Sequence, residues 1–239
     1  MPLSGNSIDH FSFFKQKILN KEAFCVIRPN DGEYLVMTNN NFSNIDHWHY
    51  DGKGILSQDL KNAIRKMKLL DNSFIGIPCK DCNQTIYNWY IDNFAISSDT
   101  LTYGNIFCNK NWKPFMELFL ENKTPFYYIG PYKMNPFNLN IVDYFETPEF
   151  LVNSWDSDRK EFVHNLVEWV KDKKGIFLFS VGPISKVVIP ILFELHPSNT
   201  YLDVGSTLDI FIKGQSNRGY INDGGEYANI ICDFMTGHL

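Results

Sequence analysis

Apolar residues along this chain gather in short unbroken runs instead of alternating with polar ones. "AFCVI" (23–27), "SFIGI" (73–77), "PFYYI" (125–129), "LNIV" (139–142), "IFLFSV" (176–181) and "TYLDV" (200–204) each lie close to a Gly, a Pro or an acidic residue. Such runs suit strands covered on both faces. Between them a helical period takes over. "SQDLKNAIRKMKLL" (57–70) opens on Ser57 as an N-cap and lines up Leu60, Ile64 and Met67. "DSDRKEFVHNLVEWVKDKKG" (156–175) lines up Phe162, Leu166 and Trp169, carries Lys in its last turn and stops at Gly175. Strands alternating with helices predict an α/β fold, Rossmann-like, with a mostly parallel sheet and helices on both faces. A single domain over residues 1–239 is expected, since no linker rich in Pro, Gly or Ser divides the chain.

The segment "GIFLFSVGPISKVVIPILFEL" (175–195) approaches the length of a membrane span. It carries Lys186 and Glu194 and is broken by Gly182, Pro183 and Pro190, so a buried strand, a turn and a buried helix are predicted, with no transmembrane anchor. The start, "MPLSGNSIDHFSFFKQ", has no basic stretch leading into an apolar one, and five Cys is an odd count. Reduced thiols and a cytoplasmic location are expected. A net charge of -5 with scattered Lys residues argues against nucleic acid as a partner.

Three places carry candidate chemistry. Where "IFLFSV" meets Gly182-Pro183, a helix is predicted to begin, with Pro tolerated in its first turn. Its N-terminus would offer free N–H groups to an anion, with Ser185 and Lys186 close by. The next strand ends in "YLDVGSTLDIFIKGQSNRGY" (201–220), which supplies Asp203, Gly205, Ser206, Asp209, Arg218 and Tyr220. A carboxylate at a strand end can accept from ribose hydroxyls, and Arg218 can pair with phosphate. The third place is "FCVIRPNDGEYLV" (24–36), where Asp31 and Glu33 flank Gly32 beside Arg28. Two such carboxylates either form a solvated turn or hold a divalent cation, and oxygen ligands favour Mg²⁺ or Mn²⁺ over Zn²⁺.

These stretches together resemble a known family. "VIRPNDGE" is similar to the Arg-x-x-Asp-Gly-Glu signature of glycosyltransferases with the GT-D fold, and "VGPISKVVIPILFELHPSNTYLDVGSTLD" is similar to their Gly-Pro helix followed by a strand ending in Asp-(Val/Ile)-Gly. "GQSNRGY" resembles the Arg-Gly-Tyr that follows, so the likeness spans roughly residues 21–220. The resemblance implies metal-dependent transfer of a sugar from a nucleotide-sugar donor, UDP-linked by default, to a glycan or glycoprotein acceptor. It places the metal (Mn²⁺ or Mg²⁺) and donor at Asp31 and Glu33, and the diphosphate at Gly182 to Lys186. Asp209 is the candidate base should the reaction invert. Ser206 stands where some members have His, and residues 40–125 match weakly. The alternative is a nucleotide-binding or scaffolding protein of a glycan-assembly complex without activity of its own.

Other motifs carry less. Cys79 and Cys82 have Cys-x-x-Cys spacing, but Cys25, Cys108 and Cys232 are isolated along the chain, so neither zinc nor redox chemistry is expected there. His47 and His49 fit an exposed loop, and Trp48 and Trp89 fit a core better than a sugar platform. Neither a Gly-x-Ser-x-Gly elbow nor a Walker loop occurs.

Overall fold

A computed structural model describes residues 5–43, 48–131, 139–221, 225, 227–235 and the backbone of 237–238; His47 lies outside them. In chain order the elements are α1 (Ser7–Leu19), β1 (Cys25–Ile27), α2 (Asp31–Met37), β2 (Asn41–Ser43), β3 (His49–Asp51), α3 (Leu56–Met67), β4 (Ser73–Ile77), α4 (Lys80–Phe94) and β5 (Leu101–Tyr103). Then follow α5 (Trp112–Leu120), β6 (Phe126–Gly130), β7 (Ile141–Glu146), α6 (Leu151–Val170), β8 (Ile176–Phe179), α7 (Pro183–Leu195), β9 (Thr200–Asp203), α8 (Asp209–Ile212), β10 (Cys232–Asp233) and β11 (Gly237–His238).

Seven strands form one sheet in the order β5-β4-β1-β9-β8-β6-β7, and every neighbouring pair in it is parallel. Alternate side chains enter opposite cores, as the two-residue period of a strand requires. Cys25, Ile27, Ile75, Phe177, Phe179 and Tyr201 pack with α3, α4, α6 and α7, whereas Val26, Phe74, Leu178 and Leu202 pack with α1 and α5. Both faces are therefore covered, which is why the strand runs are apolar throughout. Helix α7 is buried on nearly all sides between the sheet and its helical neighbours, and this accounts for its even apolarity. Among the described residues no helix is long and apolar enough to cross a membrane.

Several predicted boundaries shift. Ser57 is not an N-cap: α3 begins one residue earlier, and the Ser57 hydroxyl donates to the Met37 carbonyl at 3.3 Å. Helix α6 starts at Leu151, because Leu151 and Trp155 extend its buried stripe backwards, and it ends at Val170, short of Gly175. The third shift bears on function. Asp31-Gly32-Glu33 is no turn but the first turn of α2, since Asn30 and Glu33 are spaced as a capping box and the Asn30 N–H donates to Glu33 Oε2 at 2.8 Å.

Candidate active site

The strands β1 and β9 lie side by side at the centre of the sheet although they come from opposite ends of the chain. Loops leaving their carboxyl ends must diverge, and a crevice opens at such a point in parallel α/β sheets. Here it is a cavity of about 460 Å³, within the range that holds a small ligand.

Its floor is a buried charge network. Lys186, on the first turn of α7, places its ammonium 3.1 Å from Glu33 Oε1, 3.0 Å from Asp203 Oδ2 and 3.1 Å from the Gly182 carbonyl. Asp203 Oδ2 also accepts the Arg28 N–H at 3.0 Å, while the Arg28 side chain donates to the Asp203 and Gly104 carbonyls at 2.5 and 3.2 Å. Burial alone would lower the Lys186 ammonium, but Asp203 and Glu33 outweigh it and hold the pKa above the ordinary lysine value. Gly205 completes the floor. Its φ of +52° is left-handed, and a Cβ there would stand 2.9 Å from the Arg28 guanidinium, so both the backbone and the packing call for glycine.

Of the residues singled out from sequence, Arg28, Asp31, Glu33, Gly182, Pro183, Lys186, Gly205, Ser206, Asp209, Arg218 and Tyr220 all line this cavity. Ser185 and Asp203 are fully buried behind it. The Ser185 hydroxyl accepts from the Val181 N–H at 3.2 Å, and Asp203 reaches the cavity only through Lys186 and Arg28. The helix terminus differs from expectation. Pro183 has no N–H, and those of Ile184 and Ser185 donate to the Val181 and Gly182 carbonyls at 3.2 Å each, so the first turn of α7 is closed on itself instead of open to an anion. The cations facing the cavity are instead side chains: Lys186, Lys213, Arg218 and Arg28. Lys213 pairs with Asp209 at 3.1 Å.

Asp31 and Glu33 occupy unlike places. Asp31 is exposed at the rim, while Glu33 is 6% exposed with one oxygen on Lys186 and the other on the Asn30 N–H. A carboxylate has about four lone-pair sites, so each Glu33 oxygen keeps one in reserve. Asp31, exposed at the rim, could offer its carboxylate to a Mg²⁺ or Mn²⁺ ion, which needs only one or two carboxylates when phosphate and water fill the rest, whereas Glu33 could join it only while shared with Lys186. Sequence reasoning missed Ser180, Lys213 and Cys108 as lining residues. Ser180 was findable: it directly follows β8, where ligands gather, and its hydroxyl donates to the Gly205 carbonyl at 2.7 Å. Trp48, weighed from sequence as a sugar platform and assigned to the core, is buried in the core cluster, edge-on to Phe42 with ring centroids 5.1 Å apart, and it also lines the cavity.

No family model matches the sequence, and no curated protein matches it either. Solved structures do. A protein described as a new glycosyltransferase (DUF1792) from Streptococcus sanguinis is 16% identical, with a TM-score of 0.57 over 87% of this chain and 85% of that one. The domain of unknown function 1792 described as having a distinct glycosyltransferase fold is 13% identical, with a TM-score of 0.52 over 87% and 80%. A selenomethionine-substituted structure of a domain of unknown function 1792 is 15% identical, with a TM-score of 0.55 over the same shares. The parallel seven-stranded sheet and its two helical layers thus have the fold of the glycosyltransferase structures of domain 1792.

Proposed function

We propose that this protein is a glycosyltransferase that takes a sugar from a nucleotide-sugar donor, a UDP-sugar in the first instance, and passes it to a hydroxyl of a glycan or glycoprotein. One observation carries the reading: residues from "NDGE", "VGPISK" and "GSTLD…RGY", far apart in sequence, line one cavity at the carboxyl edge of a sheet shared with glycosyltransferase structures. Cleaving the anomeric C–O bond leaves negative charge on the diphosphate. Arg218 and Lys213 at the wall supply cations to it, and Lys186 supports them from the floor. Asp31 and Glu33 would hold Mn²⁺ or Mg²⁺, which supplies further charge stabilisation at the leaving group. Asp209, at the start of α8 and paired to Lys213, would take the acceptor proton if the reaction inverts.

The test is calorimetry of a panel of nucleoside diphosphates with and without Mn²⁺, on wild type and Asp31→Asn, followed by donor hydrolysis assays. Metal-dependent binding of one nucleotide that the variant weakens is the expected result. A folded protein that binds no nucleotide overturns it and favours a scaffolding role, and binding without turnover of any donor favours a nucleotide-binding module.

A further inference from the structure

Cys79 and Cys82 are not alone in the fold. The C-terminal strand β10 brings Cys232 across 150 residues of sequence to within 3.4 Å of the Cys82 sulfur, and the Cys79 and Cys82 sulfurs are 3.1 Å apart. All three sulfurs lie within 4.8 Å of one another, and none of the chain's five cysteines forms a disulfide. This corrects the expectation that Cys232 stands isolated.

We propose that Cys79, Cys82 and Cys232 bind a zinc ion that fastens the C-terminal strand to the side of the cavity. Zn–S bonds of about 2.3 Å in a tetrahedron set thiolates about 3.8 Å apart, so Cys82 would move away from Cys79 by about 0.7 Å and from Cys232 by about 0.4 Å to take the ion. The backbone is already shaped for this. The Cys82 N–H donates to Cys79 Sγ at 3.4 Å, and the chain leaves helical geometry at Asn83 (φ -166°, ψ 96°), so residues 79–82 form a knuckle ahead of the body of α4. The Asn105 amide donates to Cys232 Sγ at 2.9 Å, and the Cys232 N–H is held by Ser7 Oγ at 3.0 Å. Such N–H donors to sulfur favour the thiolates a metal requires.

Three thiolates leave a tetrahedral ion one ligand short. Water would fill that position, and Asn105, whose amide N–H reaches Cys232 Sγ and whose buried Oδ1 has no hydrogen-bond partner, is a second candidate. A set of three thiolates selects a soft or borderline cation over Mg²⁺ or Mn²⁺, which separates this site from the carboxylates Asp31 and Glu33. Tyr103 and Phe234, stacked with centroids 4.0 Å apart, pack against the cysteines and shield the site. Zinc entry releases three thiol protons to solvent, turning three neutral groups and a dication into one complex of net charge -1. Cys82 and Asn105 also line the cavity, so the ion would stiffen that wall. None of this depends on the reaction the cavity performs.

The experiment is elemental analysis of untagged, full-length protein purified under reducing conditions without chelator, compared with Cys232→Ser and with Cys108→Ser as a control. One zinc per chain in wild type and Cys108→Ser, with at least a tenfold loss in Cys232→Ser, is the expected result. Because Cys232→Ser can also lose its fold, wild-type protein stripped of metal is titrated with Co²⁺. Thiolate-to-cobalt charge transfer together with tetrahedral d–d bands supports the site. Absence of both zinc and this spectrum, or copper or iron in place of zinc, overturns the proposal.

Discussion

The floor and the rim of the cavity are built from the same residue types and behave oppositely. On the floor, Glu33, Asp203, Lys186 and Arg28 are almost withdrawn from water and pair with one another, although Asp203 Oδ1 has no hydrogen-bond partner. At the rim, Asp31 faces solvent although only one residue separates it from Glu33. The contrast follows from the capping box, which turns the side chain of the third helical residue back over the helix start and leaves that of the first outward. A charge that is already paired positions its neighbours, whereas one left open to solvent is free to meet a ligand.

The strongest way to break this comparison is Lys186→Met. It strands two buried carboxylates, and a loss of about 3–5 kcal/mol in denaturant unfolding is expected. A loss below about 1 kcal/mol would mean that the floor is not a coupled network. Asp31→Asn should do the reverse, lowering transfer by about 100-fold, or ~2.7 kcal/mol of barrier, with unchanged unfolding. Equal damage to stability would erase the distinction between floor and rim. Glu33→Gln is a poor probe of metal binding for the same reason, because it also removes the partner of Lys186.

Acid sensitivity offers a check away from both regions. His10 is buried against Tyr103 and within 3.1 Å of Thr102 Oγ1, and burial lowers its pKa to about 4 although Asp9 and Asp233 pull it upward. Below pH ~6.5 the unfolded chain takes up a proton that the folded chain refuses, so stability falls as pH drops towards about 4 and the loss then levels off. The full effect is about 2 kcal/mol with solvent screening included. His10→Gln should flatten this stretch of the stability–pH curve while leaving the pH dependence of nucleotide binding unchanged. A curve as steep as wild type would assign the acid loss elsewhere. The smallest effect is expected for Arg218→Lys, which keeps the charge but loses the planar fork. Weakening of diphosphate binding by about tenfold, read by calorimetry, would place Arg218 on the phosphates.

Much of the frame was legible because strands buried on both faces have to be apolar throughout. "SFIGI" is β4 to the residue, and "IFLFSV" and "TYLDV" overrun β8 and β9 only by their loop residues. Strand β5 escaped notice because "LTY" is too short to form a run, and α4 because its Cys-x-x-Cys start and its bend at Asn83 disguise the period.

From sequence alone came the α/β class, the seeds of the parallel sheet and most of the residues that line the cavity. Strand ends are local features, and parallel sheets gather them on one edge. Pairing was decided only by tertiary structure. Whether Lys186 faces a ligand or two carboxylates, and whether Cys232 meets Cys79 and Cys82, depends on contacts between segments as much as about 150 residues apart. Side-chain spacing along a chain reports the faces of single elements, and it carries no register between elements that only the packed sheet brings together.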